Sequence, residues 1–297
     1  MKKLFVTALL SISAAAAVAG SFGSQSVLVV EDDTGKVLIE KNADAVVPIA
    51  SLTKLMTAMV VLDQKQDMDA PISIDKGDVD MLKHSTSRVP VGATIARRDV
   101  LQLALMSSDN RAAASLGRTF PGGQEAFKAA VKAKIAALGM TRTVIEEPTG
   151  LSPNNKSTAS DLVKMAIAAS AYPEIARITT DSKDVIEING RAVEYHNTNR
   201  LVGAKGWDIG LSKTGYTQEA GRCLIMRIKS AGKNATLVLL NARASSVRAF
   251  DALSIRRIMA GADAEPARVH RRADAHIAKA SLRARGGKHA KLRHRRA

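Results

Sequence analysis

The 297-residue chain predicts an α+β fold: an antiparallel sheet built from both ends of the chain and flanked by helices, with a helical lobe inserted between. Two observations lead there. Segments with strand character gather near the ends, at 27–39 and 209–241, whereas the middle carries apolar residues at helical spacing. A 46% share of hydrophobic residues supplies a full core for one large domain or two intimately packed ones.

Residues 1–19 stand outside that fold. Lys2 and Lys3 precede an apolar run from Leu4 to Val18, and Ala17-Val18-Ala19 offers small residues for cleavage before Gly20, the layout of a secretory signal. The run is too short for a membrane span, so the mature protein is expected outside the cytoplasm. The folded body is expected over 20–262.

Val27 to Val30 and Val37 to Ile39 flank Asp32-Asp33-Thr34-Gly35, which predicts an opening hairpin. Leu55, Met56, Met59, Val60 and Leu62 mark a helix whose first turn begins at Ser51. Asp69 to Val91 reads as short strands and irregular connections around Gly77 and Pro90. A helix from Asp99 to Met106 stops at Ser107-Ser108-Asp109-Asn110, and an alanine-rich helix restarts behind it. Gln124 to Leu138 forms another helix, capped by Gly139. Thr143 to Ile145 is expected as a strand, followed by a long loop from Glu146 to Lys156. Thr158 or Ser160 caps a helix from Leu162 to Ala171. Asn189-Gly190 joins Val185–Ile188 to Ala192–Tyr195 as a two-residue hairpin. Strands around 209–213, 223–229 and 236–241 and a helix from Val247 to Met259 close the body.

The chemistry is expected to centre on Ser51 and Lys54. Three residues apart in a helix, their side chains share a face and meet. A cation in an opening turn opposes the helix dipole, so the lysine is poorly placed for stability and well placed to be a neutral amine taking a serine proton. The plain alternative is an N-cap serine. Ser73-x-x-Lys76 and Ser230-x-x-Lys233 repeat the spacing, but lie in a strand-like stretch and a hairpin turn. Ser108-Asp109-Asn110 suits an ordinary helix start equally with a second proton-handling serine and an amide that holds a substrate carbonyl. A rival Ser-x-Asn occurs at Ser152-Pro153-Asn154. Lys213-Thr214-Gly215 ends a strand: either a plain strand-to-turn transition, or a cation and a hydroxyl beside a strand edge that substrate backbone can approach. The backbone N–H groups of Ser51 and Tyr216 are candidates for an oxyanion hole.

In this order the three motifs match the signature of penicillin-binding proteins and serine β-lactamases. The stretches 81–92, 105–116, Tyr195-His196-Asn197-Thr198-Asn199-Arg200 and 210–216 resemble the D-alanyl-D-alanine endopeptidases among the low-molecular-mass penicillin-binding proteins, over roughly Ser26 to Met259. The resemblance implies a DD-peptidase/β-lactamase-like fold and a periplasmic enzyme that cleaves D-alanyl cross-links between peptidoglycan stem peptides, with β-lactams as covalent inhibitors. It assigns Ser51 as nucleophile, Lys54 as base with Lys213 lowering its pKa, and Ser108 as the group that passes the proton to the departing amine. Asn110, Lys213, Thr214, Gly215 and Tyr216 would bind substrate, and no metal or organic cofactor is implied.

The nearer alternative is a D-alanyl-D-alanine carboxypeptidase, which commonly adds a β-rich domain for which too few residues follow Met259. A β-lactamase needs efficient deacylation, which class A enzymes achieve with a glutamate in a loop between the second and third motifs. Glu146-Glu147-Pro148-Thr149-Gly150-Leu151 lies in the right region, but lacks the class A spacing. A non-catalytic wall-binding protein is disfavoured by 3% aromatic residues, too few for sugar stacking.

Of the formal charge of +16, residues 267–297 hold +10, so the basicity belongs to the tail and does not indicate a nucleic-acid partner. The tail from 263 is expected to be disordered or transiently helical, and to retain the protein at anionic envelope polymers or lipid headgroups. Cys223 is expected as an inert buried thiol, and His84 and His196 as loop or structural residues.

Overall fold

The computed structural model describes residues 22–261. The signal and tail expectations fall on 1–19 and 263–297, outside the described residues.

Strands β1 (Ser26–Glu31) and β2 (Val37–Lys41) form the opening hairpin. After β3 (Val47–Pro48), a 3-10 turn at Ala50–Leu52 leads directly into α1 (Thr53–Asp63). The helical lobe follows: the β4 (Pro71–Ser73) and β5 (Thr94–Ala96) pair, α2 (Arg97–Leu105), α3 (Asn110–Arg118), α4 (Gly123–Ala137), β6 (Lys156–Ser157) and α5 (Ala159–Ser170). The chain ends through α6 (Pro173–Thr180), the hairpin β7 (Lys183–Ile188) and β8 (Arg191–His196), the meander β9 (Asp208–Thr217), β10 (Gly221–Ser230) and β11 (Lys233–Ala242), and α7 (Ser245–Met259).

The main sheet is antiparallel with order β2-β1-β11-β10-β9, so the first strand pairs with the last, as expected. Alternation gives the sheet two apolar faces. Val27, Val29, Leu224, Met226, Leu237 and Leu239 pack with Ala252 and Ile255 of α7. Leu28, Ile225, Val238 and Leu240 join the larger core of the helical lobe. Helix α1 is buried on every side from Thr53 to Val61, which is why its sequence has no polar face. β9 is left as an edge strand at the site.

Three expectations change. Lys213-Thr214-Gly215 does not end its strand but lies within β9, which pairing with β10 carries on to Thr217. Thr143 to Ile145 forms only an isolated bridge, Val144 to Lys156, because the loop that follows leaves one residue in register. The helix α6 has no counterpart in the sequence reading: it is eight residues long, started by Pro173 in its first turn, and held by burying Ile175 and Ile178. Thr158, rather than Ser160, caps α5 by accepting from the Asp161 N–H.

Candidate active site

The 3-10 turn sets the site. Ala50, with φ of 48°, is held in the left-handed region, a strained setting for a residue with a side chain. Two glycines hold this turn in place. Gly150 has φ of 86°, and a Cβ there would lie 2.0 Å from the Ala50 carbonyl oxygen. Gly215 brings the edge of β9 so close that a Cβ would stand 3.1 Å from the Ser51 nitrogen. The glycine of the third motif is thus a contact between sheet edge and nucleophile turn.

Lys54 Nζ lies 2.9 Å from Ser51 Oγ, 2.7 Å from Asn110 Oδ1 and 2.7 Å from the Thr149 carbonyl oxygen. An ammonium donates to all three. A neutral amine donates to the two carbonyl oxygens and accepts the Ser51 proton, the arrangement of a general base. Lys54 is 1% exposed. That burial lowers its pKa to about 8, against the opposing pull of Glu147, Asp109 and Asp80. Dehydration comes first for both lysines: it leads for Lys54, and the Lys213 pKa is held well below the ordinary range by burial and then by the neighbouring Lys54 charge.

Lys213 Nζ donates to Ser108 Oγ at 2.8 Å and to the Thr214 carbonyl at 3.1 Å. Ser108 itself has φ of 62°, a second strained position among the motif residues. Asp109 caps α3 by accepting from the Ala112 N–H, so the second motif serves both the structural role and the site. Asn110 passes its amide protons to Ser85 Oγ at 2.8 Å. Thr214 donates to Thr198 Oγ1 at 2.7 Å, and Tyr216 is half exposed beneath the Arg222 guanidinium.

All eight sequence-predicted residues, Ser51, Lys54, Ser108, Asn110, Lys213, Thr214, Gly215 and Tyr216, therefore gather where α1, α3 and β9 meet. Of the competing motifs, Ser73 is on β4 and Ser230 ends β10, away from this meeting point, whereas Ser152 borders the hollow beside Asn110 and Asn154 is exposed. Cys223 is fully buried, which pushes its thiol up to about 11 and leaves it inert. His84 sits in an exposed turn and His196 beside Glu194. Glu147, in the loop where a deacylating glutamate would fall, spends its carboxylate on structure. It accepts from the N–H groups of Thr149 and Gly150, the Thr149 hydroxyl and the Asn155 amide.

Sequence reasoning missed Arg248. It lines the same cleft as Ser51, Ser108 and Thr214 and donates to the Cys223 carbonyl at 3.0 Å. An arginine in a helix 33 positions past the last motif gives no local signal, since only the α7 packing brings it to β9.

Comparison with known proteins agrees with this geometry. A family model described as D-alanyl-D-alanine carboxypeptidase matches residues 12–244. The D-alanyl-D-alanine endopeptidase of Pseudomonas aeruginosa is 45% identical over 266 residues, covering 85% of this chain and 86% of that protein. The D-alanyl-D-alanine endopeptidase of Escherichia coli is 43% identical over 235 residues, covering 78% and 76%. A point mutant of the Streptomyces K15 DD-transpeptidase superposes with a TM-score of 0.73 at 26% identity, over 79% of this chain and 96% of that one. The paired serine and lysine, the second serine and the sheet-edge lysine thus sit in a chain that belongs to the D-alanyl-D-alanine carboxypeptidase family of serine peptidases.

Proposed function

We propose that the protein is a serine DD-endopeptidase that cleaves D-alanyl cross-links in peptidoglycan through an acyl-enzyme and is trapped by β-lactams. The observation that carries the reading is the buried Lys54 amine 2.9 Å from the Ser51 hydroxyl. Ser51 gives its proton to Lys54 as Oγ attacks the D-alanine carbonyl carbon, and the Ser51 and Tyr216 N–H groups take the oxyanion. As the C–N bond breaks, Ser108, held by Lys213, relays the proton taken from Ser51 by Lys54 to the departing amine of the cross-linking residue, so that both serine side chains and both lysines keep their proton count. Water then hydrolyses the ester and restores the Ser51 hydroxyl. Asn110 and the β9 edge at Gly215 and Tyr216 hold the donor peptide, and Thr214 and Arg248 receive the carboxylate beside the scissile bond.

Endopeptidase is preferred over carboxypeptidase because the relatives at 43% and 45% identity carry the first name, whereas those named carboxypeptidases are 27% to 30% identical. The test is incubation with cross-linked muropeptide dimers and, separately, with pentapeptide monomers. Conversion of dimers to monomers is expected; loss of terminal alanine from pentapeptides with dimers untouched would give the carboxypeptidase reading instead. Periplasmic location rests on the apolar run at 4–18, and retention at anionic envelope polymers on the +10 of residues 267–297. Removal of those residues is expected to weaken salt-sensitive sedimentation with cell walls or membranes, and unchanged sedimentation would refute retention.

A further inference from the structure

The loop between β4 and β5 bridges the second motif and the turn after β9. Its Asp80 carboxylate accepts from the N–H groups of Leu82, Lys83 and Ser85, at 2.8, 2.9 and 2.8 Å, and so fixes a tight turn. Ser85 accepts from Asn110, and Ser87 donates to Asp109 at 2.7 Å, so the loop is tied to the second motif at two points. Two residues before the first of these anchors, Lys83 extends to the opposite wall and pairs with Glu219, in the turn just past Gly215 and Tyr216 on β9. The two residues are 136 apart in sequence, and nothing in their own elements requires them to meet.

These contacts close a ring. It runs from Ser51 through Lys54 and Asn110 to Ser85, along the loop to Lys83, across to Glu219, and back down β9 to Gly215 against the Ser51 nitrogen. Lys213 and Thr214, on the leaving-group side, precede Gly215 on β9 and so lie on its far side from Glu219, with Ser108 held there by Lys213. The ring therefore encloses the side of Ser51 that holds the acyl donor.

We propose that Lys83 and Glu219 form a clasp over the donor side of the cleft and determine its specificity by size: small acylating compounds slip beneath it, whereas a donor attached to a polymer enters only when the ion pair opens. A polymer-borne peptide cannot be threaded end-first through a closed ring and must be laid in from the side. The anchored backbone means that opening needs only two side chains to part. Both are partly exposed, at 30% and 38%, so the pair is weak, salt-screened and readily broken. The same loop presents Met81 and Leu82 to the hollow beside Asn110 and Leu151, an apolar wall ready to cover a donor once it is seated.

The test uses the full-length protein with Lys83→Gln, Glu219→Gln and the exchanged pair Lys83→Glu/Glu219→Lys. Acylation is timed with a small fluorescent penicillin and with the same penicillin coupled through its side-chain amide to soluble dextran. The clasp rests on the acylation reading of Ser51 but not on the peptide substrate. Penicillin probes therefore separate its failure from that of the endopeptidase assignment, which the muropeptide assay judges alone. The expected result is small-probe acylation unchanged within about two-fold, and dextran-probe acylation raised roughly two- to five-fold in each single variant at low salt. The gain should vanish at high salt, where the wild type opens as well, and the exchanged pair should return to the wild-type rate. Equal changes with both probes, no change with either, or an exchanged pair that behaves like the single variants would overturn the clasp.

Discussion

At the scale of single residues, the site separates accessible hydroxyls from dry amines. Ser51 and Ser108 remain partly exposed while Lys54 and Lys213 are about 1% exposed, so the hydroxyls are open to a ligand and water does not stabilise charge on the amines. A base at Lys54 has to be a free amine, and its pKa is lowered to about 8, so the proposed mechanism predicts acylation that rises with pH through that value. From about pH 6 to about pH 8 the rate constant for penicillin acylation at limiting concentration should increase roughly fifty-fold, then level off. A flat profile over that interval would remove Lys54 as the base. The motif residues were legible in the sequence because each motif is local: one turn at a helix start, one helix junction, one short run of strand. The source of the lysine pKa shifts was not, since burial of Lys54 depends on Thr149 and Asn110 arriving from segments 95 and 56 positions away.

Among elements, the loop from Glu146 to Lys156 is the support of the nucleophile turn. Asn155 donates to the Glu147 carbonyl at 2.9 Å and to the Thr53 hydroxyl at 3.2 Å, and Thr57 donates to the Pro148 carbonyl at 2.8 Å, which binds the loop along α1. Sequence composition identified this loop by its prolines and glycine but gave no view of what it braces. Replacing Gly150 by Ala should cost at least about 3 kcal/mol, from positive φ and backbone overlap with Ala50, and should abolish acylation; a variant that folds and acylates normally would contradict the packing. Glu147→Gln should lower stability by about 1–3 kcal/mol, through lost charge-assisted hydrogen bonds, while the release of bound penicillin stays within about two-fold of wild type. A collapse in release would instead make Glu147 a deacylating base. The missed α6 and the shrunken strand at Thr143 to Ile145 have one explanation: short elements are decided by what they bury and pair with, not by their own propensity.

Across the whole molecule, the two ends of the folded body stabilise each other. β1 pairs with β11 along its full length, and the Asp251 carboxylate of α7 accepts from the N–H groups of Gly23 and Ser24 at 3.0 and 2.7 Å and from the Ser24 hydroxyl at 2.6 Å. Asp251 is 5% exposed, so Asp251→Asn leaves donors poorly matched in a dry site. It should lower Tm by roughly 3–10 °C, for a loss of about 1–3 kcal/mol, with penicillin acylation at 25 °C unchanged. A Tm within one degree of wild type would show that the ends do not brace each other. The overall α+β plan was readable because strand-like segments marked both termini and helical periodicity marked the middle. Which residues close the cleft was not, because Arg248, Thr198 and the Lys83–Glu219 pair reach it only through tertiary packing.

The central claim, that Ser51 is acylated with Lys54 as its base, is tested most directly by intact-mass measurement of the folded protein after penicillin treatment, with peptide mapping of the adduct. One penicillin per chain on the peptide containing Ser51, with labelling at least about 10³-fold slower in Ser51→Ala, is the predicted result. An adduct on another residue, or undiminished labelling of Ser51→Ala, would contradict it.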